Sequence, residues 1–331
     1  MRFVPGNRHA MATKAGPGSA WVDPAALMRI QNLELRAKVV VEGFLHGLHR
    51  SPYHGFSVEF SEYRHYSPGD EPRYLDWKLY ARTDRYYVKR FEDETNVRCY
   101  LLVDLSRSMA YGSLAYDKAQ YAKTAAATLA FFLARQRDAV GLITFDERIQ
   151  EYLPARFRPG HLHRLMMALE QAPSGTSTNL ASPIEQIAAT VRKRGLVVLL
   201  SDMLAPLDLL EQNLGYLRSR GHEVVVLQVL DPAEQSLKWD QAAVVRDLET
   251  GRRLYVDPVA AQRDYHQRLT AHLDTLRQIC AKRSIDYSIM TTDQPLESAL
   301  FDFLHVRLHR SRSVLRRTTV QRGAGDRSRA P

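Results

Sequence analysis

The stretch Leu101-Leu102-Val103-Asp104-Leu105-Ser106-Arg107-Ser108-Met109 runs apolar up to Asp104 and then sets a carboxylate and two hydroxyls at alternate positions. It reads as a buried strand that stops at hard oxygen donors just before a helix. Such donors suit a small divalent cation, Mg²⁺ first and Mn²⁺ as an alternative, which takes oxygen ligands in an octahedron and keeps some water. In open α/β sheets ligands bind at the carboxyl edge, where the strand order reverses. A metal held there by mostly neutral ligands can accept a carboxylate from another protein, so the pattern points to docking more than to a reaction.

Two further segments extend the set. Gly175-Thr176-Ser177-Thr178-Asn179-Leu180 is a polar loop leading into a helix, and Leu199-Leu200-Ser201-Asp202-Met203 is a second buried strand ending at a carboxylate. In a doubly wound sheet the first and fourth strands are neighbours at the switch point, which sets Asp104 and Asp202 across from each other. The plainer alternative is that both aspartates cap helices and the hydroxyls satisfy loop amides.

The elements that must position these residues follow from periodicity. Apolar runs predict strands at Cys99–Asp104, Ala139–Phe145, Ile149–Leu153, Leu196–Ser201, Glu223–Leu230 and Asp286–Met290. Helical spacing predicts helices at Tyr116–Arg135, His161–Glu170, Pro183–Lys193, Leu207–Ser219 and Pro258–Lys282. This alternation predicts an α/β fold, a doubly wound, mostly parallel sheet of the Rossmann-like kind covered on both faces. Val244–Val256, around Glu249-Thr250-Gly251, reads as a hairpin insertion, and Leu296–Leu308 as a last helix.

Upstream, residues 1–22 are rich in Gly, Ala and Pro and read as a disordered tail without the apolar core of a secretory signal. Residues 23–50 carry Leu27, Ile30, Leu33, Leu35, Val39, Val40, Leu45 and Leu48 at near-helical spacing, with Asp23 as N-cap and Pro24 in the first turn. Residues 51–98 are rich in aromatics. Phe56-Ser57-Val58-Glu59-Phe60 alternates as a strand, Ser67-Pro68-Gly69-Asp70 is a turn, and a short helix is expected near Asp76–Arg82. Residues 99–306 read as the main domain and 307–331 as a basic disordered tail.

The chain has 331 residues, 45% hydrophobic and 25% charged, which is ordinary globular composition. Its net charge of +9 sits mostly in the tail: Arg307–Pro331 holds eight Arg and one Asp, +7, and leaves +2 for the rest. The basicity is therefore a property of the tail and not of the domain. Two cysteines far apart, Cys99 and Cys280, make no disulfide framework and point to a reducing, cytoplasmic setting. No apolar run of transmembrane length is present.

At the level of families, Asp104-x-Ser106-x-Ser108, then Thr178, then Asp202, resembles the metal-ion-dependent adhesion site of von Willebrand factor type A domains. That resemblance implies hydroxyl ligands from Ser106, Ser108 and Thr178, with Asp104 and Asp202 contacting Mg²⁺ directly or through water. The segment from Glu59 to Arg82, with Tyr63-Arg64-His65-Tyr66-Ser67-Pro68-Gly69-Asp70 and Tyr74-Leu75-Asp76-Trp77, resembles the signature of a bacterial family catalogued as domain of unknown function 58. In that family such a segment precedes a von Willebrand A-like domain. The resemblance covers about Pro24 to Leu304. It implies a non-enzymatic adaptor or chaperone-like module working with a MoxR-type AAA+ ATPase or its client, the partner supplying an Asp or Glu to the metal.

Rival readings carry less of the sequence. An Arg-rich tail could bind nucleic acid, with steep salt dependence as its mark. A metal-assisted hydrolase is conceivable with one metal and one water, but no general base can be named. Asp70, Arg73, Asp76 and Arg82 fit an ion-pair and turn network better than a catalytic site. His161-Leu162-His163 are two apart and do not share a helix face. The sequence holds no Gly-x-x-x-x-Gly-Lys-Ser/Thr loop and no Gly-x-Ser-x-Gly elbow.

Overall fold

A computed structural model describes residues 21–50, 63–65, 77–89, 98–171, 184–187, 191, 194–236, 243–246, 253–256 and 258–301. The chain begins with two helices, α1 (Pro24–Met28) and α2 (Leu33–Arg50). Asp23 caps α1 as expected, its carboxylate accepting from the Ala26 amide at 3.1 Å with Pro24 at the first position. The single helix expected over 23–50 is broken at 29–32. Asn32 is the cause: its side-chain oxygen accepts from the Leu35 amide at 2.8 Å and starts a second helix, so Leu27 and Leu33 both reach the core.

The aromatic segment contributes β1 (Tyr63–His65), α3 (Trp77–Thr83) and β2 (Tyr87–Lys89), with β1 and β2 antiparallel. The short helix expected near Asp76–Arg82 is α3. The strand expected at Phe56–Phe60, Asp70, Arg73 and Asp76 lie outside the described residues.

The main sheet is built from β3 (Arg98–Asp104), β4 (Ala139–Phe145), β5 (Ile149–Arg156), β6 (Leu196–Ser201), β7 (Glu223–Leu230) and, last in the chain, β10 (Asp286–Thr291). Their order is β10-β7-β6-β3-β4-β5, parallel throughout except for β5, which runs antiparallel along β4. The doubly wound α/β sheet predicted from the alternation is present. From β3 the chain builds outward through β4 and β5, then returns to β6 on the other side of β3. The switch point therefore lies between β3 and β6.

Both faces of the sheet are buried, which explains why β3, β6 and β7 read as near-continuous apolar runs instead of alternating ones. Leu101 and Val103 face a core shared with α2, α4 (Lys118–Arg135) and α5 (His161–Glu170). Tyr100 and Leu102 face the other core, with Leu210, Leu214 and Leu217 of α6 (Leu207–Ser219) and Leu276 and Cys280 of α8 (Pro258–Lys282). Helix α4 is buried along most of its length because it presents alanines, among them Ala119, Ala122, Ala126 and Ala130, to the strands and to α2. Between β7 and α8 lie α7 (Pro232–Ser236) and an antiparallel pair, β8 (Ala243–Arg246) and β9 (Arg253–Val256), the expected hairpin. The last helix expected at Leu296–Leu308 is described over 296–301.

Candidate functional site

Strands β3 and β6 end side by side, and Asp104, Ser201 and Asp202 are fully buried where they stop. Asp104 is held from both sides. One of its oxygens, Oδ1, accepts from the Ser106 amide at 2.8 Å, and Oδ2 accepts from the Ser201 hydroxyl at 2.6 Å. The same Ser201 Oγ accepts from the Met203 amide at 3.1 Å, and Met203 takes a left-handed conformation (φ 54°) that turns the chain sharply after Asp202. The hydroxyls of Ser106 and Ser108 lie 3.1 Å apart. A short 3₁₀ turn over Arg107–Ala110 brings this pair together beside Asp104.

Burial pushes the Asp104 carboxyl up to about 7, with the neighbouring charge of Asp202 adding to it and the Ser201 and Ser106 hydrogen bonds opposing it. The effect of Asp202 places the two aspartates in electrostatic contact, as the switch-point argument requires. Four of the five residues singled out in the sequence, Asp104, Ser106, Ser108 and Asp202, are thus gathered at one edge. Thr178 lies outside the described residues.

The sequence reading missed the residue that organises the other half of the site. Lys118, the first residue of α4, is fully buried. Its ammonium donates to Asp202 Oδ2 at 2.9 Å and to Glu234 Oε1 at 2.6 Å. Burial alone would lower its pKa, but Asp202 and Glu234 outweigh that and hold it above the ordinary lysine value. Glu234, in α7, is fixed in turn by the Asp231 amide at 2.9 Å. Asp231 anchors the incoming loop by accepting from the amide and hydroxyl of Ser113.

That loop is tightly made. The Lys118 amide donates to the Tyr111 carbonyl at 3.0 Å, and Asp117 caps α4 through the Gln120 amide at 2.7 Å. A Cβ on Gly112 would stand 2.4 Å from the Tyr116 carbonyl oxygen, so only glycine fits there. One signal for Lys118 was available: a lysine at a helix N-terminus opposes the helix dipole and calls for carboxylate partners. Its partners could not be read, because Asp202 and Glu234 are 84 and 116 residues away.

Among the described residues no group of three or more His, Cys, Asp or Glu side chains forms a metal cluster. Among the described residues, the hydroxyls of Ser106 and Ser108 are further oxygen donors beside Asp104. The donor set fits a hard divalent ion on the Asp104 side, where carboxylate and hydroxyl oxygens converge and no cation among the described residues is paired with Asp104. Two carboxylates, Asp202 and Glu234, are bonded to one ammonium. On the Asp202 side, one carboxylate oxygen is already taken by Lys118.

The pattern of the family described as "Protein of unknown function DUF58" matches residues 62–275. The uncharacterized protein Rv1480 of Mycobacterium tuberculosis is 32% identical over 255 residues, spanning 76% of this chain and 80% of that protein. The uncharacterized protein Mb1516 of Mycobacterium bovis matches to the same extent. Among solved structures, the conserved hypothetical protein BatB from Bacteroides thetaiotaomicron is similar at 15% identity over 63% of this chain and 97% of that one, with a TM-score of 0.43. The SpRpn10 VWA domain is similar at 13% identity over 62% and 94%, with a TM-score of 0.37.

Proposed function

The chain belongs to the family of proteins of unknown function DUF58, and from that premise we propose that it is a non-enzymatic adaptor that docks an acidic side chain of a partner protein at the carboxyl edge of its sheet in the presence of Mg²⁺. The observation that carries this reading is the convergence of Asp104, Ser106 and Ser108 at the switch point, with the two serine hydroxyls 3.1 Å apart. Asp104 is held by Ser106 and Ser201 in one orientation, and the hydroxyls add oxygen donors without adding charge. A bound divalent cation would supply open coordination positions that a partner's Asp or Glu could fill. Mn²⁺ would serve the same donors.

The partner class in this reading is a MoxR-type AAA+ ATPase or its client, by the resemblance of the family. A cytoplasmic setting belongs to the same proposal and is supported by two buried cysteines, Cys99 and Cys280, that form no disulfide with each other. Among the described residues no helix is long and apolar enough to cross a membrane. The test is affinity capture by the full chain in Mg²⁺, in chelator, and with Asp104→Ala. Retention of a MoxR-type ATPase or its client in the first sample and its loss in the other two is the expected result. The same proteins captured in all three samples would overturn the docking role of the metal.

A further inference from the structure

The buried ammonium of Lys118 lies between two carboxylates, and only one of these, Asp202, belongs to the edge that carries the candidate ligands. Glu234 stands behind it, on α7, and reaches the same nitrogen at the shorter distance, 2.6 Å against 2.9 Å. The ammonium therefore has a partner it can keep and a partner it can release. Its place at the start of α4 is fixed by the Asp117 cap and the Tyr111 carbonyl, so a release moves the side chain and not the helix.

From this arrangement we infer that Lys118 is a built-in counter-cation that competes with a divalent ion for Asp202 and so sets the divalent affinity of the site, with Glu234 as the residue that holds the ammonium when Asp202 is given up. The inference rests on the proposed metal reading and adds its regulation. In the metal-free protein Lys118 neutralises Asp202 and keeps the two aspartates from facing each other unscreened. For Asp202 to serve a divalent ion, Lys118 must withdraw onto Glu234. Glu234 is bonded to the amide of Asp231, and Asp231 holds the Ser113 loop. Occupancy of the edge is thereby tied to the α7 segment and to the loop that borders the site.

The physical expectation has opposite signs at two neighbouring residues. Removing the ammonium takes away a like charge next to an incoming cation, and at these separations such a charge is worth at least about tenfold in affinity. Removing the charge of Glu234 leaves Asp202 as the carboxylate paired with Lys118 among the described residues and weakens divalent binding by a similar factor. A merely structural ion pair would impair binding in both cases.

The experiment titrates the metal-stripped full chain with Mn²⁺, reading free ion by electron paramagnetic resonance, for wild type, Lys118→Met, Glu234→Gln and Asp104→Ala. Thermal melts check that each variant folds. Tighter binding by Lys118→Met with weaker binding by Glu234→Gln is the expected result. If Lys118→Met binds no more tightly while Asp104→Ala abolishes binding, competition is overturned and the metal reading stands. If wild type is silent but Lys118→Met binds, the competition is supported and Mg²⁺ docking by the unmodified chain fails. Silence in both overturns the two together. Should Lys118→Met not fold, Lys118→Gln takes its place: tighter Mn²⁺ binding than wild type supports the inference, and unchanged or weaker binding overturns it.

Discussion

The two ends of the main sheet solve burial in opposite ways. At the carboxyl end, charge is gathered and paired: Asp104 with Ser201 and Ser106, and Asp202 and Glu234 with Lys118. At the amino end of β4, a cavity of about 400 Å³ is bordered by Phe131, Val140, Phe157 and Leu165, with Arg135, Arg156 and Arg158 at its margin. There His161 is buried, Nε2 against the Val140 carbonyl at 2.8 Å, and Nδ1 has no hydrogen-bond partner among the described residues. One end holds interlocked ions; the other holds apolar walls and a histidine bonded to a backbone carbonyl. Substitutions at the first end should therefore cost far more and should change the response to cations, while those at the second should leave cation binding unchanged.

The largest expected effect is Lys118→Ala, which leaves two carboxylates buried without their cation. Breaking a buried pair by removing one member costs about 3–5 kcal/mol. Chemical denaturation of the metal-free chain should show a loss of that size, and a loss below about 1 kcal/mol, the scale of an exposed pair, would show that the ammonium is not buried as described. Gly112→Ala comes next. Its Cβ would meet the Tyr116 carbonyl oxygen at 2.4 Å, and forcing space into a packed site costs about 1–3 kcal/mol. The penalty should appear in melting temperature and, because Gly112 borders the loop leading to Lys118, in divalent affinity as well.

The third prediction concerns Asp104 and pH. Its carboxyl is raised from the ordinary 3.8 to about 7 in the folded protein. The folded state thus favours the protonated acid. Its contribution to stability is fully present below the ordinary carboxylate pKa and is lost as pH rises through about 7. Asn can keep the acceptor for the Ser106 amide and cannot ionise, so Asp104→Asn should remove this fall. Melting temperatures of wild type and Asp104→Asn in chelator, measured from about pH 4 to about pH 8, should diverge as pH rises, the variant losing less. Parallel curves would refute the assignment.

How much of this was legible in the sequence depends on range. Elements of local periodicity were readable: β4, β6, β7, α5, α6 and α8 fall where the apolar spacing predicts them. The adjacency of Asp104 and Asp202 was readable too, because strand alternation and the switch-point rule fix which strands neighbour each other. The break at 29–32 was not, since Leu27, Ile30 and Leu33 keep helical spacing through it and only the Asn32 cap interrupts the helix. Lys118 was missed for a different reason. A charged residue becomes part of a site through partners brought in by the fold, and no periodicity encodes a pairing over 84 or 116 residues.

At the quieter end, His161→Phe sharpens the contrast. The ring keeps its volume against Leu165 and Val140, and the substitution removes one hydrogen bond to the Val140 carbonyl. It also removes Nδ1, a buried nitrogen without a hydrogen-bond partner among the described residues. The first change costs about 1–3 kcal/mol if the carbonyl is left dry, and the second offsets part of it because an unsatisfied polar atom disappears. The net expected loss is about 1 kcal/mol, well below that of Lys118→Ala. Val140 lies next to the start of β4, which runs beside β3, yet the ionic edge is at the far end of the ladder. Divalent affinity should therefore be unchanged. A His161→Phe chain that melts slightly earlier but titrates with Mn²⁺ like wild type would confirm that the two ends are energetically separate. A parallel loss of Mn²⁺ binding would mean that the sheet couples them.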